Sequence, residues 1–334
     1  LGDSSKAYLI ALHNLASLNQ KMGNYNKSAS IYTEILSIYN KIKNIDSLNY
    51  ASMLSNYALL FEEMGNYKEA ELLNKKALQI RKYYLGTNNT SYALSIGNMA
   101  LLYSKMGEYG KAESLYIQAK DIFNTILGNT HPDYLTAVNN LADFYFRIGN
   151  YKKSETLYIG LLNTIENVLG ENHSLFSTCL SNLAGVYMIK GYYVKAEQLY
   201  EKALSIIERV RGVEDPSYIT TLSNLAALYS ETEYFLKAEP LQILLLKINA
   251  IVYGSNHPYY ATSLNNLAMT YAGMKNYKKA DSLLSIALNV RNEVLGINHP
   301  DYLFSLRCQA QLYFKMKKYN RAETAFSMVI GLIN

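Results

Sequence analysis

Tryptophan is absent from this chain and cysteine is scarce, with two residues in 334. Two cysteines cannot build a disulfide framework, and their scarcity is typical of a reducing compartment, so we expect a cytoplasmic protein. The sequence also lacks any run of about 18 uncharged apolar residues, the length that a membrane-spanning helix needs. We therefore predict that no segment spans a membrane.

Blocks of one charge are missing as well. The 32 basic and 27 acidic residues give a net charge of +5, and neither sign clusters along the chain. A nucleic-acid-binding surface would show lysine and arginine concentrated on one face or along one helix. This charge distribution does not favour nucleic acid as a partner.

Motifs of catalysis are also lacking. The chain has no glycine-rich phosphate loop, no cluster of metal ligands and no nucleophile elbow. A cysteine–histidine pair is numerically possible, but Cys179 and Cys308 fall in predicted helices, whereas the interhelical histidines fall in loops. We predict no enzymatic activity, no catalytic residue, no metal site and no cofactor.

What the chain does contain is a repeat with a fixed period. An aromatic residue that follows a turn recurs every 42 residues without insertion, at Tyr25, Tyr67, Tyr109, Tyr151, Tyr193, Phe235, Tyr277 and Tyr319. A constant period of 20–50 residues is typical of a solenoid, in which each unit packs mainly on its neighbours. We therefore predict one array over residues 1–334, with repeats 1–44, 45–86, 87–128, 129–170, 171–212, 213–254, 255–296 and a shorter one, 297–334.

Each repeat reads as two helices, which we call helix A and helix B. Apolar residues in helix A follow the i, i+3, i+4, i+7 spacing of an amphipathic helix, as in Val138, Leu141, Ala142 and Tyr145. A second such stripe follows the turn. Alanine or serine recurs where helix B must approach helix A closely, at Ser28, Ala70, Ala112, Ser154, Ala196, Ala280 and Ala322.

The residue before each helix A is predicted to be its N-cap, a position that favours Ser, Asn and Asp. The slot holds Ser47, Asn89, His131, His173, Asp215, His257 and His299, several of them followed by proline. Successive histidines lie a full repeat apart, far beyond the ~2 Å bonds of a shared zinc site. We therefore predict capping roles for them.

The consensus Asn-Leu-Ala-x-x-Tyr-x-x-x-Gly-x-Tyr-x-Lys-Ala-Glu-x-Leu-Tyr resembles the tetratricopeptide repeat. The 42-residue period, with Leu-Gly-x-x-His-Pro-x-Tyr between copies, is similar to the long variant found in kinesin light chains and in bacterial arrays, some fused to a caspase-like CHAT peptidase domain. The resemblance covers the whole chain and implies an all-α fold, a right-handed α-solenoid of eight helix-turn-helix repeats.

One slot of helix A holds asparagine in seven successive repeats, at Asn14, Asn56, Asn98, Asn140, Asn182, Asn224 and Asn266, with Cys308 in the eighth. The slot faces away from the residues that pack on helix B, and a core stripe does not require asparagine. The resemblance implies that this is the concave side of the array, where similar proteins use the asparagine to hold a peptide main chain. A carboxamide suits that task because it both donates and accepts hydrogen bonds.

Other residues on the predicted face extend the candidate site. Asn139 and Asn265 belong to the small or polar residues around the asparagine slot, Phe146 and Met188 are candidate apolar contacts, and Lys105 and Arg147 are candidate partners for an acidic residue. A structural alternative stays open, in which the asparagines bond between adjacent A helices.

We therefore predict a protein-interaction scaffold whose groove holds a peptide or segment of a partner protein. Two other hypotheses remain. The array could be the regulatory region of a larger protein such as a CHAT peptidase, with an intramolecular partner domain, or a self-assembling structural solenoid. Because the chain starts at Leu1 and stops at Asn334 within a repeat, we expect it to be a piece of a longer protein.

Overall fold

The computed structural model describes residues 6–41 and 47–333, and in these residues every regular element is an α-helix. There are sixteen helices in the described ranges, two for each repeat. The A helices are α1 Lys6–Lys21, α3 Ser47–Glu63, α5 Thr90–Lys105, α7 Pro132–Arg147, α9 Ser174–Ile189, α11 Pro216–Glu231, α13 Pro258–Gly273 and α15 Pro300–Lys315. The B helices are α2 Tyr25–Lys41, α4 Tyr67–Leu85, α6 Tyr109–Leu127, α8 Tyr151–Val168, α10 Tyr193–Arg211, α12 Phe235–Val252, α14 Tyr277–Leu295 and α16 Tyr319–Ile333.

The helices form two compact units. The first unit ends at Leu199 and the second begins at Tyr200; the turn Lys21–Asn24 groups with the second. Within each unit, consecutive helices pack on each other, so the core is a chain of small clusters and not one central core. One such cluster, in repeats three and four, contains Met99, Ala100, Tyr103, Ala112, Tyr116, Leu141, Phe144 and Tyr145.

The small residues predicted at the contact between helices A and B are buried. Ala70, Ala112, Ala196 and Ala280 are fully buried, and Ala322 is 3% exposed. Two serines occupy the same slot in the first unit, and their hydroxyls differ in environment. Ser28 Oγ donates a hydrogen bond to the Ala16 carbonyl oxygen at 2.8 Å. Ser154 Oγ is buried without a hydrogen-bond partner among the described residues.

This difference predicts opposite effects of the same substitution. Ser154→Ala should raise the free energy of unfolding by about 1 kcal/mol, because it removes a buried hydroxyl that has no partner. Ser28→Ala should lower it by about 1 kcal/mol, because a satisfied hydrogen bond is lost. Thermal and urea unfolding of the two variants measures both effects. Destabilisation by Ser154→Ala would mean that its hydroxyl does have a partner.

A tyrosine near the end of helix A links neighbouring repeats. Tyr145 Oη donates to Glu113 Oε1 of the preceding helix B at 2.6 Å, and Lys153 of its own repeat lies over the Tyr145 ring at 4.5 Å. Tyr103 repeats this arrangement with Glu71 at 3.0 Å and with Lys111 over its ring. The Lys-Ala-Glu part of the repeat consensus therefore serves contacts between repeats.

Most of the predicted caps are confirmed. Asn89, Asp215 and the four interhelical histidines each accept a hydrogen bond from the backbone N–H two residues later, the histidines through Nδ1. Ser47 differs, since it is already the first residue of α3. An unprotonated Nδ1 is an acceptor, so the histidine slot is explained by helix capping.

The turn between helices A and B requires a left-handed backbone. Gly23, Gly65, Gly107, Gly149 and Gly191 have φ between 75° and 79° at this site. Repeats six to eight keep the same conformation without glycine, since Glu233, Lys275 and Lys317 have φ of 61°, 63° and 59°. Packing of the flanking helices therefore holds these three turns in a conformation that L-residues disfavour.

Both cysteines are free thiols on A helices, Cys179 on α9 and Cys308 on α15, and both are buried. Burial raises the pKa of each thiol above its usual range. Across the described helices, none combines the length and the apolar character needed to cross a bilayer.

Candidate functional site

The asparagine slot lies on the same face of successive A helices within each unit. In the first unit Asn14, Asn98 and Asn140 are exposed, whereas Asn56 and Asn182 are half-buried. In the second unit Asn224 and Asn266 are half-buried, and Cys308 is 4% exposed. The asparagines are therefore not equivalent, although they share one position in the repeat.

The residue just before the slot explains part of this difference, because its side chain reaches the next repeat. In repeat one, the hydrogen bond between Asn56 Nδ2 and His13 Nε2 is 3.0 Å long. In repeat four, Asn139 Oδ1 accepts from Asn182 Nδ2 at 3.2 Å. Asn56 and Asn182 therefore take part in contacts between repeats.

Asn265 makes the corresponding contact in the second unit. Its Nδ2 donates to Cys308 Sγ at 3.7 Å, and its Oδ1 accepts from Ser305 Oγ at 3.1 Å. Asn265 is 1% exposed and Asn139 is 8% exposed. The structure thus places both between neighbouring A helices, next to the open face and not on it.

The amides of Asn98 and Asn140 behave differently. Neither side chain forms a hydrogen bond with any residue in the described parts of the chain. The residue before Asn98 is Gly97, which has no side chain to reach Asn140, and a Cβ placed on it would meet no atom within 4 Å. Two exposed amides are therefore left unpaired on adjacent A helices, α5 and α7.

A pocket of about 240 Å³ opens between these two amides. Its floor comes from α6, and its walls come from α5 and α7. The lining residues are Ala93, Leu94, Gly97, Asn98, Leu101, Tyr116, Ala119, Phe123, Asp133, Thr136, Ala137, Asn140, Asp143 and Arg147. We call it the Gly97 pocket, since the missing side chain leaves this space open.

The floor of the Gly97 pocket contains the tyrosine Tyr116. Tyr116 is 4% exposed, and its hydroxyl has no hydrogen-bond partner within residues 6–41 and 47–333. Burial, with the Asp143 carboxylate as a second cause, raises the pKa of Tyr116 above its usual range, so the hydroxyl keeps its proton. The pocket thus offers the Tyr116 hydroxyl as a hydrogen-bond donor, in a lining that combines apolar residues with the polar and charged residues of α5 and α7.

The charged residues predicted for the site are already in ion pairs. Arg147 Nε lies 2.7 Å from Asp143 Oδ2, one turn back on α7. Lys105 Nζ lies 2.8 Å from Glu62 Oε2 of α3, and the Glu62 side chain is only 2% exposed. Lys105 therefore joins α5 to α3, whereas Arg147 lines the pocket with its charge balanced.

The structure brings three of the predicted site residues to one place, Asn98, Asn140 and Arg147 around the Gly97 pocket. Phe146 is half-buried and packs on Tyr151, with ring centroids 5.8 Å apart, and Met188 is half-buried on α9. Neither lines the pocket. Asn224, Asn265 and Asn266 lie in the second unit.

Sequence reasoning missed Gly97, Tyr116 and Phe123. A signal for the first was present, because repeat three carries glycine at a slot where the other repeats carry larger residues. A signal for Phe123 was present as well, because its slot holds Arg81, Asn249 and Arg291 in other repeats. No comparable signal marks Tyr116, whose slot reads as an ordinary core position of helix B.

Comparison with known proteins supports this architecture. The sequence profile of the tetratricopeptide repeat matches residues 8–82, 90–158, 175–242 and 262–332. Comparison with curated protein sequences gives no significant match.

Three solved structures illustrate the fold similarity. One is a Podosopora anserina kinesin light chain whose TPR-like repeats are nearly identical to one another. It is 23% identical to this chain, the match covers 61% of this chain and 97% of that one, and the TM-score is 0.51. The apo quorum sensor NprR of B. thuringiensis is 16% identical, covering 100% of this chain and 89% of its own, with a TM-score of 0.64. A Rap protein complexed with competence and sporulation factor is 13% identical, covering 98% of each chain, with a TM-score of 0.62.

Proposed function

The chain belongs to the tetratricopeptide repeat family, and we propose that it is an interaction scaffold that binds an extended segment of a partner protein on its A-helix face. One observation carries this proposal: Asn98 and Asn140 present unpaired, exposed amides on either side of an open pocket. Each carboxamide can pair with the N–H and the C=O of a peptide group, whatever side chain that peptide residue carries.

The energetics of such contacts require help from side chains. Two amides making up to four hydrogen bonds, each worth about 0.5–1.5 kcal/mol, supply roughly 2–6 kcal/mol. Micromolar affinity needs about −8 kcal/mol. The asparagines can therefore orient the main chain of the bound segment, but burial of its side chains must provide the rest of the affinity.

The charges on this face do not select a strongly charged partner. Asp143 neutralises Arg147, and Glu62 neutralises Lys105. A segment with little net charge suits such a surface. The fold similarity to a Rap protein solved with competence and sporulation factor is consistent with peptide binding, and the similarity to the quorum sensor NprR is consistent with a sensing role.

The double variant Asn98→Ala/Asn140→Ala tests the proposal. Random peptides of about ten residues, displayed on phage, are selected on the wild-type protein, and the best binder is synthesised with a fluorescent label. We expect the double variant to bind this peptide at least tenfold more weakly, since several main-chain hydrogen bonds are lost. Melting should change little, because neither amide has a partner within the described fold.

The matched control is Asn124→Ala/Asn163→Ala, which removes two exposed amides from the B helices α6 and α8. Its affinity should equal that of the wild type. Equal affinities of the wild type and the Asn98/Asn140 variant would contradict the proposed grip on the main chain. A selection that yields no binder would contradict the peptide-binding function as a whole.

A further inference from the structure

The space between adjacent A helices is filled by polar side chains in several repeats. Between α3 and α5, Arg81 of helix B donates through Nη1 to Ser55 Oγ at 2.9 Å and to Ser95 Oγ at 2.7 Å. The two serines come from successive A helices, and the guanidinium group bridges them. This junction is therefore closed by three residues that bond to one another.

The same positions form bridges in the second unit. Arg291 Nη1 donates to Ser305 Oγ at 2.5 Å, and Ser305 Oγ donates to Asn265 Oδ1 at 3.1 Å, which closes the junction between α13 and α15. Asn249 Nδ2 donates to Ser263 Oγ at 2.6 Å at the junction before it. A polar bridge at this depth is thus a repeated feature of the array.

The junction between α5 and α7 lacks this bridge. The residues equivalent to Ser55, Arg81 and Ser95 are here Gly97, Phe123 and Ala137, each 42 positions later. Phe123 is 3% exposed and packs with Ala93 and Ala137. None of the three can form the polar bridge, and Gly97 has no side chain to fill the space, so the Gly97 pocket remains open at this junction.

The size and lining of the pocket restrict what it can hold. Its volume of about 240 Å³ falls below the ~300–1,000 Å³ of sites that enclose a whole small molecule. The floor and walls include Leu94, Leu101, Ala119 and Phe123. Of the two carboxylates in the lining, Asp143 is paired with Arg147, and Asp133 is an exposed residue in the first turn of α7. A single large apolar side chain matches this space better than a cofactor or a charged group.

Two further observations connect the pocket to a bound chain. Asn98 and Asn140 stand at its rim with free amides, where they can hold the main chain on both sides of an inserted residue. The Tyr116 side chain, which is 4% exposed, lines the floor against which an inserted side chain would pack.

We propose that the Gly97 pocket receives one large aliphatic or aromatic side chain of the partner segment and thereby sets the register of that segment along the A helices. This inference rests on the proposed peptide-binding function and adds the residue class that the segment must carry. The asparagines are indifferent to side chains, so the pocket supplies the sequence preference.

The phage-displayed random library provides the first test. Peptides selected on the wild-type protein should share one large apolar residue. In the labelled best binder, replacing that residue by alanine should weaken binding at least tenfold. Selected peptides without a common large apolar residue would overturn the proposal.

Gly97→Asn provides the second test. Asparagine at this position matches Asn139 and Asn265 of other repeats, and its side chain would fill the pocket and reach toward Asn140. The affinity for the labelled peptide should fall at least tenfold. On the Gly97→Asn variant, replacing the large apolar residue of the peptide by alanine should weaken binding little further. This non-additivity would show that Gly97 and the peptide residue act at one place.

Two variants keep the test informative. Gly160→Asn adds the same residue to another helical glycine with no atom within 4 Å of a Cβ, on the B helix α8, and should leave affinity unchanged. Gly97→Ala fills the pocket only partly, should not lower the melting temperature and should weaken binding less than Gly97→Asn. If Gly97→Asn binds normally while Asn98→Ala/Asn140→Ala does not, the pocket proposal fails and the scaffold proposal stands.

Discussion

Ala112→Leu is expected to lower the free energy of unfolding of the first unit by about 3 kcal/mol, at the upper end of the cost of overpacking a core. Ala112 is fully buried at the contact between α5 and α6, where Ala100, Tyr103 and Tyr116 surround it. Protein interiors leave no space for three extra carbon atoms, so the two helices must separate.

The measurement is urea unfolding followed by circular dichroism, with hydrogen exchange to locate the loss. Stability of an array is a sum of repeat and neighbour terms, so protection should fall most in α5, α6 and α7. Ser114→Leu adds a similar side chain at an exposed position of α6 and should change little. Wild-type stability of Ala112→Leu would contradict the close approach of helices A and B.

Lys105→Met is expected to cost about 2 kcal/mol, because it leaves the Glu62 carboxylate buried without its cation. Removing one partner of a fully buried ion pair costs about 3–5 kcal/mol. We expect a smaller loss here because the Lys105 side chain is 33% exposed and water can approach the pair. Methionine retains the aliphatic stem of lysine, so packing is largely preserved.

Glu62→Gln combined with Lys105→Met should recover most of the loss, since the buried charge is then gone. Unfolding of the two single variants and the double variant forms a thermodynamic cycle. A positive coupling energy would assign Lys105 to the α3–α5 contact. If Lys105→Met instead leaves stability unchanged and weakens peptide binding, Lys105 is a ligand contact, as its position on the A-helix face predicted.

The eight helix pairs and the N-caps before the A helices could be predicted from the sequence because both depend on local spacing. The 42-residue period locates each helix, and Asn89 or His131 caps the next one through bonds two residues away. These features need no knowledge of how repeats lie against each other. They follow from the geometry of one repeat.

The site was harder to predict because its residues are selected by contacts between repeats. Asn139 and Asn140 are neighbours in sequence, yet one is buried against α9 and the other is exposed, since successive helix residues point about 100° apart. A single-repeat pattern cannot show that Asn139 bonds to Asn182 or that Asn140 has no partner. The Gly97 pocket depends on Gly97, Phe123 and Ala137, which come from three different helices.

The low reactivity expected of the two native thiols allows an introduced cysteine to be labelled selectively. Cys179 and Cys308 are buried, and burial raises the pKa of both, so little reactive thiolate forms near neutral pH. A maleimide reagent should therefore leave the natural chain largely unlabelled. In Gly97→Cys, one accessible sulfur would lie at the mouth of the Gly97 pocket. Its alkylation rate would report directly on whether a side chain of a bound peptide occupies the pocket.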